Sequence, residues 1–460
     1  MMTTRIFHLA CIATFAAVKL PAQNLTLIEL PENSWYSVPN TKMESVFPNP
    51  DPGGVGGPAM VIEAWSGGAY DPVANRVLLW GGGHSDYYGN EVYAFNIDDL
   101  SWQRLTDPSK PRLNSESNSD GTPTSRHTYN GLDFISHANR LFGRGGSRAG
   151  DGWEVRWTWT FDPSVQSWQS MDAAGNAPGG GLGNAAAYDP MSKRIYFGCN
   201  DPNSGLYSYD FDKNSWTKHN SDYFYYRTMA VDPKRGLLVV VGEGETLVYD
   251  VKNNNYTKQT WNTNGSSEIA GASNPGLTYD SKDDKIVAWN GAAVYFLNTE
   301  TRSWTKKNPS GSPGRTSTGI FGRWRYIPTE NVFVAISSAE KNVHFYKNTA
   351  GPGDIVSSVD SLELNVTEGL PETFRLWQNY PNPFNPVTQI GFELSGRSKV
   401  TLAILDLSGK IVETLINEEL RQAGFNQVVF DGSRLSTGTY FYQLTIEGSV
   451  VATKKMLLIK

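Results

Sequence analysis

"GAYDPVANRVLLWGGG", residues 68–83, decides the fold. A short apolar strand runs into Tyr70-Asp71-Pro72, a polar turn follows, and a second apolar strand ends on glycines. Asp and Pro favour a turn at that point, because the Asp side chain accepts from nearby backbone N–H groups and Pro has no N–H to continue a ladder. The plan returns in "AAYDPMSKRIYFGCND" (186–201), "MAVDPKRGLLVVVGEG" (229–244) and "LTYDSKDDKIVAWNG" (277–291). A variable loop and two more strands complete a unit, and the closing strands carry Trp102, Trp168, Trp216, Tyr256 and Trp304. Each unit reads as one antiparallel four-stranded meander.

A degenerate last unit, "GRWRYIPTENVFVAISSAEKNVHFYKN" (322–348), lacks its aromatic closing strand, and "NSWYSVP" (33–39) supplies one from the N-terminal side. Sheets tied into a ring by such an exchange make a β-propeller, which leaves only short, protected edges. The expectation is therefore an all-β chain with six blades, or seven if 110–128 or 262–273 hides strands. Composition agrees: 45 Gly, 25 Pro, 12% aromatic and 19% charged residues suit short strands and turns rather than long amphipathic helices.

The "GGG" of Gly81 to Gly83, the "GG" of Gly145 and Gly146, and the Trp or Tyr closing each unit resemble the Kelch and galactose-oxidase-like propeller class over residues 24–348. The resemblance implies strands that run outward from a central channel. It also implies a functional face made by the loop after each second strand and the loop leading into each innermost strand.

Residues 1–23 have a basic start, an apolar run and small residues near Ala22, the layout of a secretory signal peptide. Only Cys199 lies beyond it, so no disulfide within the chain is expected. Residues 349–373, acidic with Gly and Pro, read as a linker, and the alternating strands of 374–460 read as a small β-sandwich. Its "NYPNPFNP" (379–386), "DLSGK" (406–410), "LSTGTYFYQL" (435–444) and tail "KKMLLIK" (454–460) resemble the C-terminal sorting domain of type nine secretion. That resemblance implies export through the periplasm and across the outer membrane, to the medium or the cell surface, with the secretion machinery as a partner. Beyond the leader no apolar run reaches the roughly 18 residues of a membrane span. A net charge of -6 gives no general attraction to nucleic acid.

The repeat register places His84, Asp86, Tyr87, Arg148, Asn200, Glu243 and Asn290 at the ends of second strands. Trp65, Arg126, His127, Asn184, Tyr226, Arg227 and Arg315 lead into the innermost strands. Ordinary turns would favour Gly, Ser and Asp. Arginines, histidines and aromatics together suit an anionic, ring-shaped ligand instead. The first expectation is a glycan, acidic in kind, bound at this face by Trp65, Asp86, Tyr87, Arg126, Arg148, Asn184, Asn200, Glu243, Asn290 and Arg315. The second draws on a resemblance to propeller-shaped polysaccharide lyases such as the ulvan lyases, carried by position on the face and not by motif. In it Arg227 or Arg126 neutralises a uronate, His84 or His127 takes the neighbouring proton, and Tyr226 serves as base or acid. A copper oxidase would use Cys199, but the paired Tyr-His of that family is absent. A glycosidase would have only Asp86 and Glu243 as its carboxyl pair. A protein-interaction propeller is the remaining alternative. No metal or other cofactor is assigned. His137, His219 and His344 read as packing or surface residues.

Overall fold

Asp71 shows why the repeated turn forms. Its Oδ1 accepts from the backbone N–H of Val73 and Ala74 at 2.9 and 3.1 Å, and Tyr70 donates its hydroxyl to Asn75 Oδ1 at 2.8 Å. Asn75 is left-handed (φ +46°), a conformation Asn tolerates well. Asp189, Asp232 and Asp280 receive backbone N–H groups in the same way at their own turns.

The structure, a computed structural model, describes residues 24–353 except 172, 201 and 202, and 375–460 except 377, 378, 380, 381, 383, 395–397, 408, 422 and 423. The expected signal peptide and residues 354–373 of the expected linker lie outside the described residues. The chain divides into two units, Met1–Ser361 and Leu362–Lys460.

Among the described residues the first unit has six sheets built on four antiparallel strands, and Ala174–Gly175 and Asn264–Gly265 add a parallel edge strand to the third and fifth. The first strands of the six sheets are Gly68–Asp71, Leu132–Ile135, Ala185–Asp189, Thr228–Asp232, Gly276–Asp280 and Trp324–Ile327. The sixth sheet takes its fourth strand from Ser34–Ser37, which pairs with His344–Lys347 and sets Trp35 opposite Tyr346. Phe95 opposite Trp102, Phe161 opposite Trp168, Tyr209 opposite Trp216 and Leu297 opposite Trp304 repeat that outer pairing. Apolar cores lie between consecutive sheets, and one more joins the sixth sheet to the first. Each fully buried large apolar side chain stabilises the fold by roughly 1.5–3 kcal/mol. This all-β arrangement fits a propeller-like fold.

Residues 110–128 form no seventh sheet. They hold one isolated bridge, Ser117 with Pro123, and the strand Arg126–His127, which pairs with Ser147–Arg148 in a two-stranded ribbon. Residues 262–273 add Asn264–Gly265 to the edge of the fifth sheet and a 3-10 turn, Ser267–Gly271.

The second unit has a sheet of Arg375–Leu376, Val387–Leu394 and Gly424–Asp431, and one of Ile411–Arg421, Ser398–Leu405, Gly438–Ile446 and Ser449–Leu458. Ile390, Phe392 and Phe430 from the former share a core with Leu402, Tyr442 and Leu444 from the latter.

Candidate functional site

Gly81 and Gly82, at φ +144° and +107°, turn the chain where a side chain would be strained. A Cβ on Gly83 would stand 2.5 Å from the backbone of Arg126. The glycine corner thereby lies directly on the ribbon, and His84 accepts from Gly150 N at 2.7 Å. Asp86 then meets His127, Oδ2 to Nε2, at 2.9 Å. The His127 ring lies 5.0 Å from that of His84 and 5.1 Å from that of Trp65. His127 is buried, and loss of hydration lowers its pKa although Asp86 pulls the other way. Burial thus favours the neutral form of its imidazole.

Trp65 and Asp86 also line a cleft of about 420 Å³ with Arg315, Glu63 and Lys341. Thr316, Ser317, Thr318, Ser337 and Ser338, with Met60 and Ala64, complete its lining. Arg315 donates to the carbonyl of Ser273 and Lys341 to that of Pro313. Among the described residues neither cation has a carboxylate partner. The cleft thus combines one aromatic plate, two carboxylates and two cations that form no ion pair with them.

Other candidates are placed differently. Tyr87 is fully buried and donates to Glu91, so it holds the fold and does not reach a ligand. Arg126 is also fully buried, over the Trp80 ring at 5.2 Å and bonded to the carbonyls of Thr124 and Glu116, and burial lowers its pKa to about 10. The buried Asn184 donates to the carbonyls of Arg144 and Gly181, and Asn290 fixes its own turn through Ala292 and Ala293. Arg148 forms a two-pronged pair with Asp151, and Arg227 donates to Glu245 at 2.6 Å. Glu243 is exposed at a hairpin tip, and Asn200 stands beside Gly181. Tyr226 joins the His127 group indirectly, since both rings touch Tyr129 at 6.0 and 6.1 Å. Burial raises the pKa of Tyr129 and lifts that of Tyr226 to about 12.

Tyr129 and Phe321 escape a reading by residue type, yet one register rule finds them. Five residues before Tyr70, Phe134, Tyr188, Val231, Tyr279 and Tyr326 stand Trp65, Tyr129, Gly183, Tyr226, Asn274 and Phe321. All six are left-handed, with φ of +43°, +49°, +63°, +48°, +49° and +53°. Tyr129 touches Phe321 as well as Tyr226, at 6.0 Å in each case. These three rings stand just ahead of the first strands of the second, fourth and sixth sheets. Arg126 and His127 belong to the ribbon ahead of this position, which is why they brace rather than open the inner strand.

At the other end of the inner strands a cavity of about 250 Å³ is lined from all six sheets, with Asp133 and Arg325 paired at 3.3 Å inside it. Arg325 also donates to the carbonyls of Gly322 and Gly68, so its charge and donors are occupied. Among the described residues no group of three or more His, Cys, Asp or Glu side chains is placed to hold a metal ion, and no helix is long and apolar enough to cross a membrane.

No curated protein matches the chain. The family described as a secretion system C-terminal sorting domain matches residues 378–460. The chain thus carries a C-terminal type nine sorting domain, which implies contact with that secretion machinery and indicates export to the cell surface or the extracellular space.

Proposed function

We propose that the first unit is a six-bladed, Kelch-type β-propeller that binds an acidic glycan in the cleft between Trp65 and Arg315. The observation that carries this reading is the pair of cations, Arg315 and Lys341, beside an aromatic plate: each is bonded to a backbone carbonyl and, among the described residues, neither is ion-paired with the Glu63 and Asp86 of the same lining. Arg148 and Arg227, which are ion-paired, make the contrast. A uronate or sulfate ester offers Arg a planar or multidentate anion. Trp65 offers the apolar face of a sugar ring a flat partner, while Glu63, Asp86 and the Ser and Thr residues of the lining accept or donate to sugar hydroxyls. Gel retardation in polygalacturonate, alginate and ulvan tests this. Retardation by at least one polymer is expected, with about a tenfold weaker apparent Kd in Trp65→Ala and in Arg315→Ala. Free migration of the wild-type protein in all three polymers overturns it.

A second reading, a polysaccharide lyase, is favoured by the Asp86–His127 pair beside His84. In it Arg315 replaces the buried Arg126 and the ion-paired Arg227 as the group that neutralises the uronate. A neutral histidine takes the proton next to the carboxylate, the electron pair forms the C4–C5 double bond, the C4–O bond breaks, and Tyr226 protonates the departing oxygen. Growth of ultraviolet absorbance from the unsaturated product, abolished in His84→Ala, supports this reading. Retardation without any such growth leaves the binder alone.

A further inference from the structure

We infer that the binding surface runs on from the cleft along a row of aromatic rings, and that its occupant is an internal stretch of acidic polysaccharide several sugars long. This rests on the glycan-binding reading and specifies what that site accepts. The row starts at Trp65 and passes through His127, Tyr129, Tyr226 and Tyr225 to Tyr223. Successive centroids are 5.1, 6.1, 6.0, 4.1 and 6.1 Å apart. Its middle is buried and links the two ends: Tyr129 and His127 are 4% and 3% exposed. Its ends open to solvent, for Trp65, Tyr225 and Tyr226 are half-buried and Tyr223 is 57% exposed.

Two features set this row apart from ordinary core packing. Trp65, Tyr129 and Tyr226 all stand at the repeated left-handed position, where a bulky side chain strains the backbone and a purely structural role would favour Gly or Asn. Gly183, at the same position in the intervening sheet, would press a Cβ to 2.7 Å from Tyr226 N, so the absence of a side chain there keeps Tyr226 in the row. Tyr223, the exposed ring at the other end of the row from Trp65, is outside the cleft lining and serves neither the core nor a sugar held against Trp65. A chain anchored by its anionic group at Arg315 and Lys341, with sugar faces on the open rings, Trp65 at one end and Tyr226, Tyr225 and Tyr223 at the other, uses both ends.

The experiment is titration calorimetry of the full chain with oligosaccharides, from disaccharide to octasaccharide, of whichever polymer among polygalacturonate, alginate and ulvan retards it. Affinity is expected to rise with length. Tyr223→Ala is expected to weaken the octasaccharide about fivefold to tenfold while leaving the disaccharide unchanged. Tyr225→Ala should do the same, and Tyr223, being exposed, gives a variant whose folding is not at stake. Equal affinity for all lengths, or full octasaccharide affinity in Tyr223→Ala while Trp65→Ala still weakens binding, overturns the extended surface and leaves the cleft. Absence of binding to all three polymers overturns both.

Discussion

Gly183 sits at φ +63°, and its carbonyl accepts from Tyr226 N at 3.0 Å. A methyl group here meets both a conformational penalty of about 1–2 kcal/mol and a backbone contact too close to absorb. Gly183→Ala is therefore expected to destabilise the protein by about 2–4 kcal/mol in urea unfolding and to weaken long glycans by displacing Tyr226. A variant as stable as wild type would show that the loop relaxes freely. The same residue explains what the sequence conceals about the site. Trp, Tyr, Gly, Tyr, Asn and Phe share a backbone conformation but no chemistry, so residue type alone gives no common signal. His84, Asp86, Trp65 and Arg315 were legible because a histidine, a carboxylate, an indole and a guanidinium are unusual at glycine-rich corners. Arg126 and Tyr87 look equally functional in sequence. Only the packing of Trp80 under Arg126 and of Glu91 against Tyr87 shows that they serve the interior.

The closing strand Ser34–Ser37 tests the architecture at the scale of one element. Trp35 lies 5.5 Å from Trp289, 5.9 Å from Trp324 and 5.3 Å from Tyr346, so it fills the core between the fifth and sixth sheets. Trp35→Ala removes most of a partly buried ring and is expected to cost about 2–4 kcal/mol, read as a lowered Tm. A midpoint within a degree of wild type would mean that the strand adds nothing. The strand and its partner sheet were legible because a unit without its tryptophan and a tryptophan without its unit complement each other. The outer pairing of Trp102, Trp168, Trp216 and Trp304 follows one rule. The ribbon of Arg126–His127 with Ser147–Arg148 was not legible. Two-residue strands carry no periodicity, and this one depends on glycines at 145 and 146 that let the chain return beside His127.

At the scale of the whole unit, the start of the described chain meets the first and last sheets at Glu330. This fully buried carboxyl accepts from Asn24 N at 3.1 Å, from Asn75 Nδ2 at 3.3 Å and from the hydroxyl of Thr329. Burial raises its pKa to about 7, and the nearby Asp98 pushes the same way. Below pH about 4.5, folded and unfolded chains both carry the proton, and the favourable contribution is complete. Between about 4.5 and 7 the unfolded chain ionises while the folded one keeps its proton, so stability is lost across that window as pH rises. His219 has the opposite slope: burial lowers its pKa to about 4, so its contribution is present above pH about 6.5 and lost on acidification. Wild-type stability mixes the two, but Glu330→Gln separates them, since the amide cannot ionise and retains an acceptor for Asn24. The stability of Glu330→Gln relative to wild type is expected to improve by about 2 kcal/mol between pH 4.5 and 7.5 in urea unfolding. A constant difference across that range would mean that Glu330 titrates like a solvated carboxylate, and that the meeting of chain start, first sheet and last sheet is wetter than its burial indicates.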